Sequence, residues 1–288
     1  MAKNVLITGC SSGLGAHLAV ACARAGWKTY ASMRNLAKRD QLDQLMRDAG
    51  ASVEVLALDV CDQASLDEAV AHIIASDGRI DTLVCNAGVG FVRSTEQADE
   101  ADVQWVMDTN FHGVVRCTRA ILPHMRAAGE GHVVAVTSIG GLVGQPFNEI
   151  YCASKFAVEG YIESLASYAG PAFGLHFTAI EPAGISSEFV QNVRAHIARS
   201  GGILDDAYAP ILQRYLADRS GSEYEGLYQT PAEVAQVILD IMSSETPPVR
   251  ARTSPWAENF CRFKTAGDPD GKKQQQMVID TFLAGSAT

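Results

Sequence analysis

The sequence lacks the patterns that accompany a metal centre, a disulfide framework or a membrane span. None of its seven cysteines forms a C-x-x-C pair, and their scatter is typical of reduced thiols in the cytoplasm. No window approaches the roughly 20 apolar residues of a membrane helix, and the first residues lead into a strand pattern rather than a signal peptide. Lysine and arginine never form a run of five, and the net charge is −10, which gives nucleic-acid binding little support. We therefore expect a cytoplasmic protein that holds no metal ion.

What the sequence does contain is a regular alternation of short β-branched, apolar runs with longer helical patterns. The 288 residues suit a single domain. Strands are predicted at 5–7, 28–32, 53–58, 82–85, 133–137, 176–180 and 249–252. The two longest predicted helices run from Val103 to Met125 and from Tyr151 to Tyr168, and Thr230 caps another. This alternation predicts an α/β fold with a doubly wound parallel sheet of about seven strands and helices on both faces.

Two parts of the chain depart from the alternation. Residues 186–229 contain helical pieces but no strand pattern, and a segment of this length inside a domain is usually functional or mobile. Its tyrosines either line a substrate pocket or anchor the loop, and they are Tyr208, Tyr215, Tyr224 and Tyr228. The predicted organisation is one domain over 1–255, which includes this segment, and a partly ordered C-terminal tail over 256–288.

Tyr151 and Lys155 occupy positions i and i+4 of a predicted helix, which places a phenol and an ammonium on one face. A free tyrosine has a pKa near 10 and is a poor acid-base group at neutral pH. A cation roughly 4 Å away stabilises phenolate by about 4 kcal/mol at an effective dielectric of ~20, which lowers the pKa by ~3 units, to near 7. The pair therefore predicts proton exchange with an alcohol or a ketone, and the hydroxyl of Ser138 would bond the same oxygen.

A glycine-rich loop, Thr8-Gly-Cys-Ser-Ser-Gly-Leu-Gly15, lies between the first predicted strand and its helix. Glycines let the backbone approach a pyrophosphate closely, and the N-terminus of the helix favours its charge. The alternative is an ordinary tight turn. The context of strand and helix favours a dinucleotide site, and its residues are Gly9, Ser11, Ser12, Gly13, Leu14 and Gly15.

Together these motifs resemble, in order, those of the short-chain dehydrogenases. The loop has the family spacing T-G-x-x-x-G-x-G, and Ser138, Tyr151 and Lys155 match its active site. The resemblance implies a Rossmann-type fold and NAD(P)-dependent interconversion of an alcohol and a carbonyl compound. It also implies that Tyr151 moves the proton, that Lys155 lowers the tyrosine pKa and holds the nicotinamide ribose, that Ser138 positions the substrate oxygen and that Asn110 holds a relay water.

The same resemblance implies further contacts with the cofactor, from residues that follow successive strands. These are Asp59, Val60, Asn86, Ala87, Gly88, Pro182, Gly184, Ile185 and Ser187, in addition to Tyr151 and Lys155. Three positions depart from the family pattern. Cys85 replaces the first asparagine of N-N-A-G, Ala183 replaces the glycine of Pro-Gly, and Ser187 stands where threonine is usual.

The choice of cofactor is predicted from the end of the second strand. NAD-preferring enzymes place a carboxylate there to hold the ribose 2′-hydroxyl. Here that position offers Arg34, and the next carboxylate, Asp40, falls in the following helix. A guanidinium suits a 2′-phosphate, so we expect a preference for NADP(H), with NAD(H) also possible. The other interpretation is a surface arginine with no role in binding.

Two function classes follow from these motifs. The first is an oxidoreductase for a bulky hydrophobic alcohol or ketone, since 186–229 is rich in apolar residues and the likeness at 140–166 is to the hydroxysteroid and retinol dehydrogenase branch. The second is a catalytically silent dinucleotide-binding sensor on the same fold. The two long helices predict a homodimer or homotetramer. Glu159 and Glu163 are predicted to face solvent or a partner subunit.

Overall fold

The computed structural model describes residues 3–216 and 225–282, and within them the chain forms nine strands. The strands are β1 Asn4–Ile7, β2 Lys28–Met33, β3 Glu54–Ala57, β4 Thr82–Cys85, β5 Gly131–Val136, β6 Leu175–Glu181, β7 Gly184–Ile185, β8 Tyr228–Gln229 and β9 Arg250–Arg252. Seven of them form one sheet in the order β3-β2-β1-β4-β5-β6-β9. Every pairing in this sheet is parallel, as predicted. The order runs outward in both directions from β1 and β4, which places a topological switch point between them.

Helices connect the strands and cover both faces of the sheet. They are α1 Gly13–Arg24, α2 Asp40–Ala49, α3 Gln63–Asp77, α4 Glu100–Met107, α5 Gly113–Ala128, α6 Glu149–Phe173, α7 Glu188–Arg199, α8 Ala209–Tyr215, α9 Pro231–Ser243, α10 Pro255–Thr265 and α11 Lys272–Phe282. The apolar residues of α3, α5 and α6 pack on one face. Those of α1, α2 and α9 pack on the other. The predicted doubly wound α/β fold is therefore confirmed.

The helix predicted from Val103 to Met125 is interrupted in the structure. Between α4 and α5 lies a five-residue π-helical turn, Asp108–His112. The wider turn directs the side chain of Asn110 toward Val89, where it accepts a hydrogen bond from the backbone N–H at 2.8 Å. Turns of this kind inside α-helices are frequent at functional sites.

The segment 186–229 contains a strand, contrary to the sequence prediction. β8 pairs in parallel with β7, so that Gly184 lies opposite Tyr228 and Ile185 opposite Gln229. A two-residue strand is too short to leave an alternation in the sequence, which is why the pattern gave no sign of it. Of the tyrosines predicted in this segment, Tyr224 lies outside the described residues.

The C-terminal tail contributes two helices to the described part of the chain. α10 begins with Ser254 as its N-cap and buries Ala257 and Cys261 against Ile139 and Leu142. α11 lies beside α6, and the side chain of Gln275 donates to the carbonyl oxygen of Ala166 at 2.6 Å. Residues 283–288 lie outside the described range.

Candidate active site

The glycine-rich loop and the end of β4 are locked together. The amide of Asn86 donates to the carbonyl oxygens of Thr8 at 2.8 Å and Gly9 at 3.1 Å. The hydroxyl of Thr8 accepts in return from the backbone N–H groups of Asn86 and Ala87. A Cβ at Gly9 would lie 2.8 Å from Cα of Ala87, and one at Gly15 would lie 2.4 Å from the carbonyl oxygen of Gly9. Glycine at both positions lets the loop pack tightly on the end of β4, in the compact turn that brings a backbone close to a pyrophosphate.

The N-terminus of α1 points its backbone donors toward this loop. Ser12 is extended and makes no side-chain cap, and Gly13 follows with a φ of 55°. The Gly13 N–H donates to Oε1 of Gln41, and Nε2 of Gln41 donates to Oε1 of Glu188, each at 3.0 Å. Neither Gln41 nor Glu188 carried a sequence signal, since the two lie on α2 and α7, far apart in the chain. Their contact brings α7 over the dinucleotide loop.

The predicted adenine and ribose contacts lie along the same edge. Arg34 is exposed and directly follows β2, while Asp59 and Val60 follow β3. A carboxylate oxygen of Asp59 accepts from the N–H of Cys61 at 3.0 Å, which fixes the turn. Ser11 is half-buried beside the loop, and Leu14 is buried under it. The structure thus groups all these predicted residues at the carboxyl ends of β1, β2 and β3, where α/β sheets bind ligands.

The other end of the groove is formed by residues that follow β6. The carbonyl oxygen of Pro182 accepts from the N–H of Ile139 at 3.0 Å, which ties this segment to the Ser138 turn. Ala183 packs on the apolar cluster beneath α10. A Cβ at Gly184 would lie 2.6 Å from the ring of Tyr228, so a larger residue there would displace that exposed ring. Ser187 occupies the N-cap position of α7 without a side-chain capping bond. It lies next to Gly13, since a Cβ on Gly13 would be 3.3 Å from the Cβ of Ser187.

Ser138, Tyr151 and Lys155 meet between β5 and α6. Ser138 lies two residues after the end of β5, and its Oγ accepts a hydrogen bond from the Gly140 N–H at 3.0 Å. The Ser138 hydroxyl and the Tyr151 ring are neighbours, since a Cβ at Gly140 would lie 3.4 Å from Oγ of Ser138 and 3.3 Å from Cε1 of Tyr151. The Lys155 ammonium lies 5.8 Å from the centre of the Tyr151 ring and donates to the carbonyl oxygen of Val136 at 2.9 Å. The three predicted groups therefore converge on one point.

The pKa of Tyr151 differs from the sequence prediction. Burial raises it to about 12, and the hydrogen bond from Ser138 lowers it less than burial raises it. Burial also lowers the pKa of Lys155 to about 8, so the ammonium remains largely protonated at neutral pH. The expected fall of the tyrosine pKa to near 7 assumed a cation about 4 Å from the phenolic oxygen. In the structure that cation is turned toward Val136, so the prediction is wrong for the protein alone.

Asn110 lies fully buried behind the pair, in the π-helical turn. Its amide donates to the carbonyl oxygen of Val89 at 2.9 Å and to the hydroxyl of Ser154 at 3.0 Å. Gly88 fits between Asn110 and Lys155, since a Cβ there would lie 3.3 Å from Oδ1 and 3.6 Å from Nζ. The side chain of Asn110 therefore joins the β4 loop to α6.

Glu159 is buried, which corrects the expectation that it faces solvent. Only 5% of it is exposed, and the hydroxyl of Thr137 donates to its Oε1. The reason is its spacing, since Glu159 lies one turn after Lys155 on the buried face of α6. Glu163 is partly exposed, as predicted, and forms an ion pair with Arg250 at 2.5 Å.

The side of the site formed by α7 is apolar. Phe189 of α7 lies 6.1 Å from Tyr151, ring centre to ring centre. Beyond it is a cluster, here called the Phe147 cluster, whose members are Val92, Phe147, Ile197 and Leu212, with Val193, Tyr208 and Tyr215 packed against them. The amide of Asn148 donates to the Tyr215 hydroxyl at 2.8 Å. Tyr208 and Tyr215 thus anchor the segment beside Tyr151, whereas Tyr228 is exposed.

Arg93 holds this segment in place, and no sequence signal indicated it. The residue is 3% exposed and donates to the carbonyl oxygens of Gly202 at 2.7 Å and Ser200 at 2.8 Å. These carbonyls follow α7, whose C-terminus favours a cation. The loop after β4 therefore fixes the far end of α7.

Across residues 3–216 and 225–282, no helix is long and apolar enough to cross a bilayer, and no three acidic, histidine or cysteine side chains form a candidate metal site. The site instead combines a parallel switch-point sheet, a glycine cradle and a Ser-Tyr-Lys cluster. Those features define a Rossmann-type oxidoreductase that binds a nicotinamide dinucleotide.

Comparison with known proteins identifies the family. A family model described as short chain dehydrogenase matches residues 3–198. The chain is 39% identical to retinol dehydrogenase 8 of Bos taurus over 93% of its own length and 86% of that protein. It is 40% identical to 17-beta-hydroxysteroid dehydrogenase type 1 of Homo sapiens, over 94% of its length and 83% of that protein. The chain belongs to the short-chain dehydrogenase family and is an NAD(P)-dependent oxidoreductase.

Solved structures agree with this assignment. A short-chain dehydrogenase from Streptomyces avermitilis superposes with a TM-score of 0.75 at 28% identity, covering 99% of this chain and 98% of that one. A variant of actinorhodin polyketide ketoreductase with NADPH gives a TM-score of 0.73 at 25% identity, covering 87% and 95%.

Proposed function

We propose that the protein interconverts a bulky, largely apolar alcohol and its ketone or aldehyde, with NADP(H) as the preferred cofactor. The observation that carries this proposal is the convergence of Ser138, Tyr151 and Lys155 between a glycine cradle and an apolar wall. The bound nicotinamide accepts the hydride in oxidation and supplies it in reduction. The protein's own groups bind and orient the substrate and move the proton.

Tyr151 is the proton carrier in this proposal. In reduction its hydroxyl gives a proton to the carbonyl oxygen as the carbon receives the hydride, and in oxidation the phenolate takes the proton of the alcohol. A pKa of about 12 makes the neutral acid the resting form at pH 7. The Ser138 hydroxyl donates to the substrate oxygen and so favours the charge that develops there.

Lys155 and Asn110 support the proton carrier. The Lys155 ammonium, held by the Val136 carbonyl, lies beside the Tyr151 ring and stabilises phenolate when it forms. Its proximity to Gly88 suits a contact with the nicotinamide ribose. Asn110 bonds Val89 of the β4 loop and Ser154 of α6. It therefore keeps these two elements, which flank the site, at a fixed separation.

The substrate class is inferred from the Phe147 cluster and from Phe189. Pockets that take apolar ligands are lined by apolar and aromatic side chains with a few polar anchors. Here the polar anchors are the Ser138 and Tyr151 hydroxyls, with the Asn148–Tyr215 pair close by. Relatives named for retinol and for 17β-hydroxysteroids are both consistent with a steroid, a retinoid or an aryl compound as the substrate.

The cofactor preference is inferred from Arg34. Its side chain is exposed directly after β2, and the first acidic residue beyond it opens α2 as Asp40. Without a carboxylate at the end of β2, a guanidinium there recognises a 2′-phosphate.

A direct test is to mix the purified protein with NADPH and a panel of steroid, retinoid and aryl carbonyl compounds and to follow the absorbance of the reduced nicotinamide. We expect turnover with at least one member of the panel and a kcat at least ~10² lower with Tyr151→Phe. Tight NADPH binding without turnover on any carbonyl compound would instead identify a silent dinucleotide-binding protein.

A further inference from the structure

Two buried carboxyl groups meet behind the active site. Glu159 on α6 and Glu181 at the end of β6 are within hydrogen-bonding reach of each other. Glu181 is 0% exposed and Glu159 is 5% exposed. Oε2 of Glu159 and Oε1 of Glu181 are buried and have no hydrogen-bond donor among the described residues. Two ionised carboxylates have no proton to place between them, so this arrangement leaves both oxygens without a partner.

Among the described residues, a cation is hydrogen-bonded to only one of the two carboxyl groups. Arg252 is buried and donates to Oε2 of Glu181 at 2.9 Å, which accounts for one negative charge. The second bond of Arg252 goes to Glu258, whose side chain is 48% exposed and is solvated. Thr137 donates a neutral hydroxyl to Glu159. A second buried negative charge would have no counter-ion in direct contact, which is a costly arrangement.

We propose that Glu159 and Glu181 share one proton at neutral pH, and that protonated Glu159 is a positioning residue for Ser138. The proton lies on Oε2 of Glu159 and is donated to Oε1 of Glu181. Both otherwise unpartnered oxygens are then satisfied, and the Glu181–Arg252 pair keeps its single charge on each side.

The surrounding charges agree with this assignment. Burial and the neighbouring Glu181 hold the pKa of Glu159 well above its usual range. Burial also raises the pKa of Glu181, against the opposing effect of Arg252. The charged and titratable groups that face the pair come from α6, β9 and α10, and they are Lys155, Glu163, Arg250, Arg252, Glu258 and Cys261. Lys155 is the nearest catalytic group, and it interacts with Glu159 through space rather than by a hydrogen bond.

The position of Glu159 links it to Ser138. It accepts from Thr137, the residue before Ser138. It also packs on Gly141, where a Cβ would lie 2.9 Å from its Cγ. Ser138 is therefore held on both sides by one side chain of α6, the helix that carries Tyr151 and Lys155. This second half of the proposal rests on the proposed function, whereas the shared proton does not.

The shared proton is tested by urea unfolding of the wild type, Glu159→Gln and Glu68→Gln between about pH 5 and 8. Gln is a permanent analogue of a protonated glutamate. Because the native carboxyl has a raised pKa, its contribution to stability is complete below the unfolded pKa and is lost as pH rises toward the folded pKa. As pH rises, the folding equilibrium constant of the wild type should therefore fall relative to that of Glu159→Gln, by up to about tenfold per pH unit. Glu68→Gln, a control at an exposed position of α3 away from the pair, should follow the wild type.

Three results would overturn the shared proton. In the first, the difference in unfolding free energy between the wild type and Glu159→Gln does not change with pH. In the second, this difference changes with pH in the opposite direction. In the third, the Glu159→Gln variant does not fold. Each would mean that the native state requires an ionised carboxylate at residue 159.

The positioning role is tested by kinetics on the same proteins and on Glu159→Leu. We expect Glu159→Gln to keep kcat within about threefold, and Glu159→Leu to lose about tenfold or more in kcat with an unchanged KM for NADPH. A folded Glu159→Leu variant with wild-type kcat would overturn the role. If the wild type proved inactive on every carbonyl compound, the proposed function would fail, and the unfolding data would still decide the shared proton.

Discussion

The Nζ of Lys155 donates to the carbonyl oxygen of Val136 at 2.9 Å, across the gap between α6 and the end of β5. This bond fixes where the positive charge lies relative to the Tyr151 ring, 5.8 Å from its centre. The ammonium is therefore poised beside the phenol rather than bonded to it. In the proposed reaction, it would stabilise the charged form of Tyr151 when proton transfer creates that form.

The first prediction concerns Tyr151→Phe. The change keeps the ring against Phe189 and removes the hydroxyl that moves the proton. We expect kcat to fall by at least ~10², because a positioned acid-base group contributes on this scale. NADPH binding, measured by fluorescence titration, should be unchanged, since the glycine cradle is untouched. Near-normal turnover would show that another group carries the proton.

The second prediction concerns Arg34→Ala. A charged hydrogen bond contributes roughly 1.5–3 kcal/mol, so its loss should weaken the binding of NADPH about tenfold to a hundredfold. NADH lacks the 2′-phosphate and should bind as before. The measurement is the ratio of kcat/KM for NADPH and NADH in both proteins, with Arg47→Ala on α2 as a surface-charge control. A wild type that favours NADH, or a ratio that Arg34→Ala leaves unchanged, would rule out Arg34 as the selector.

The third prediction concerns assembly through α6. Its outward face exposes Phe156 and Tyr168, at 43% and 47%, and Gly160 lies between them with open space around its Cβ position. Exposed aromatic residues on one helix face are typical of a subunit interface, and we expect a closed homodimer or homotetramer. Gly160→Arg adds charge at a position where a Cβ would meet nothing within 4 Å, so light scattering should show dissociation of a folded protein. Gly267→Arg, also in open space but after α10, should leave the assembly intact. A wild type that is monomeric at micromolar concentration would refute the prediction.

The fourth prediction concerns acid stability. His132 is buried in β5, where its Nε2 lies 2.9 Å from the Thr178 hydroxyl, and burial lowers its pKa to about 3. In the unfolded chain this histidine is protonated as pH drops below about 6.5, whereas in the native chain it stays neutral. The free energy of unfolding therefore falls as pH drops below that value. His132→Gln removes this term, and its folding constant should become less pH-dependent by up to about tenfold per pH unit between pH 4 and 6.5. His124→Gln, at an exposed position of α5, should keep the wild-type slope. Equal slopes for the wild type and His132→Gln would contradict the assignment.

The sequence predicted the sheet well, because each strand is a short apolar run between turn residues. It also placed the glycine cradle and the Ser138, Tyr151 and Lys155 cluster, since those groups are specified by local spacing. It did not predict the π-helical turn at Asp108–His112, which no residue type marks.

The sequence also could not predict contacts between distant elements. Burial of Glu159 depends on Glu181 and Thr137, which lie on other strands, and glutamate is rarely buried without such partners. The pKa of Tyr151 is raised by its burial, which depends on how distant elements pack around it, and Lys155 is turned toward the Val136 carbonyl. The role of Arg93 depended on the path of the chain after α7.

The pairing of β7 with β8 has a consequence for how this scaffold changes over time. The segment between β7 and β8 begins after Gly184–Ile185 and ends at Tyr228–Gln229, and these two strands pair with each other. The two ends of the segment therefore lie side by side in the backbone. Lengthening such an excursion costs little, about 0.6 kcal/mol for each doubling of its length. A segment of different length or sequence can thus join the same two strands. Evolution, or an engineer grafting the corresponding stretch from a relative, can replace the apolar wall while the proton-transfer groups and the dinucleotide cradle stay where they are.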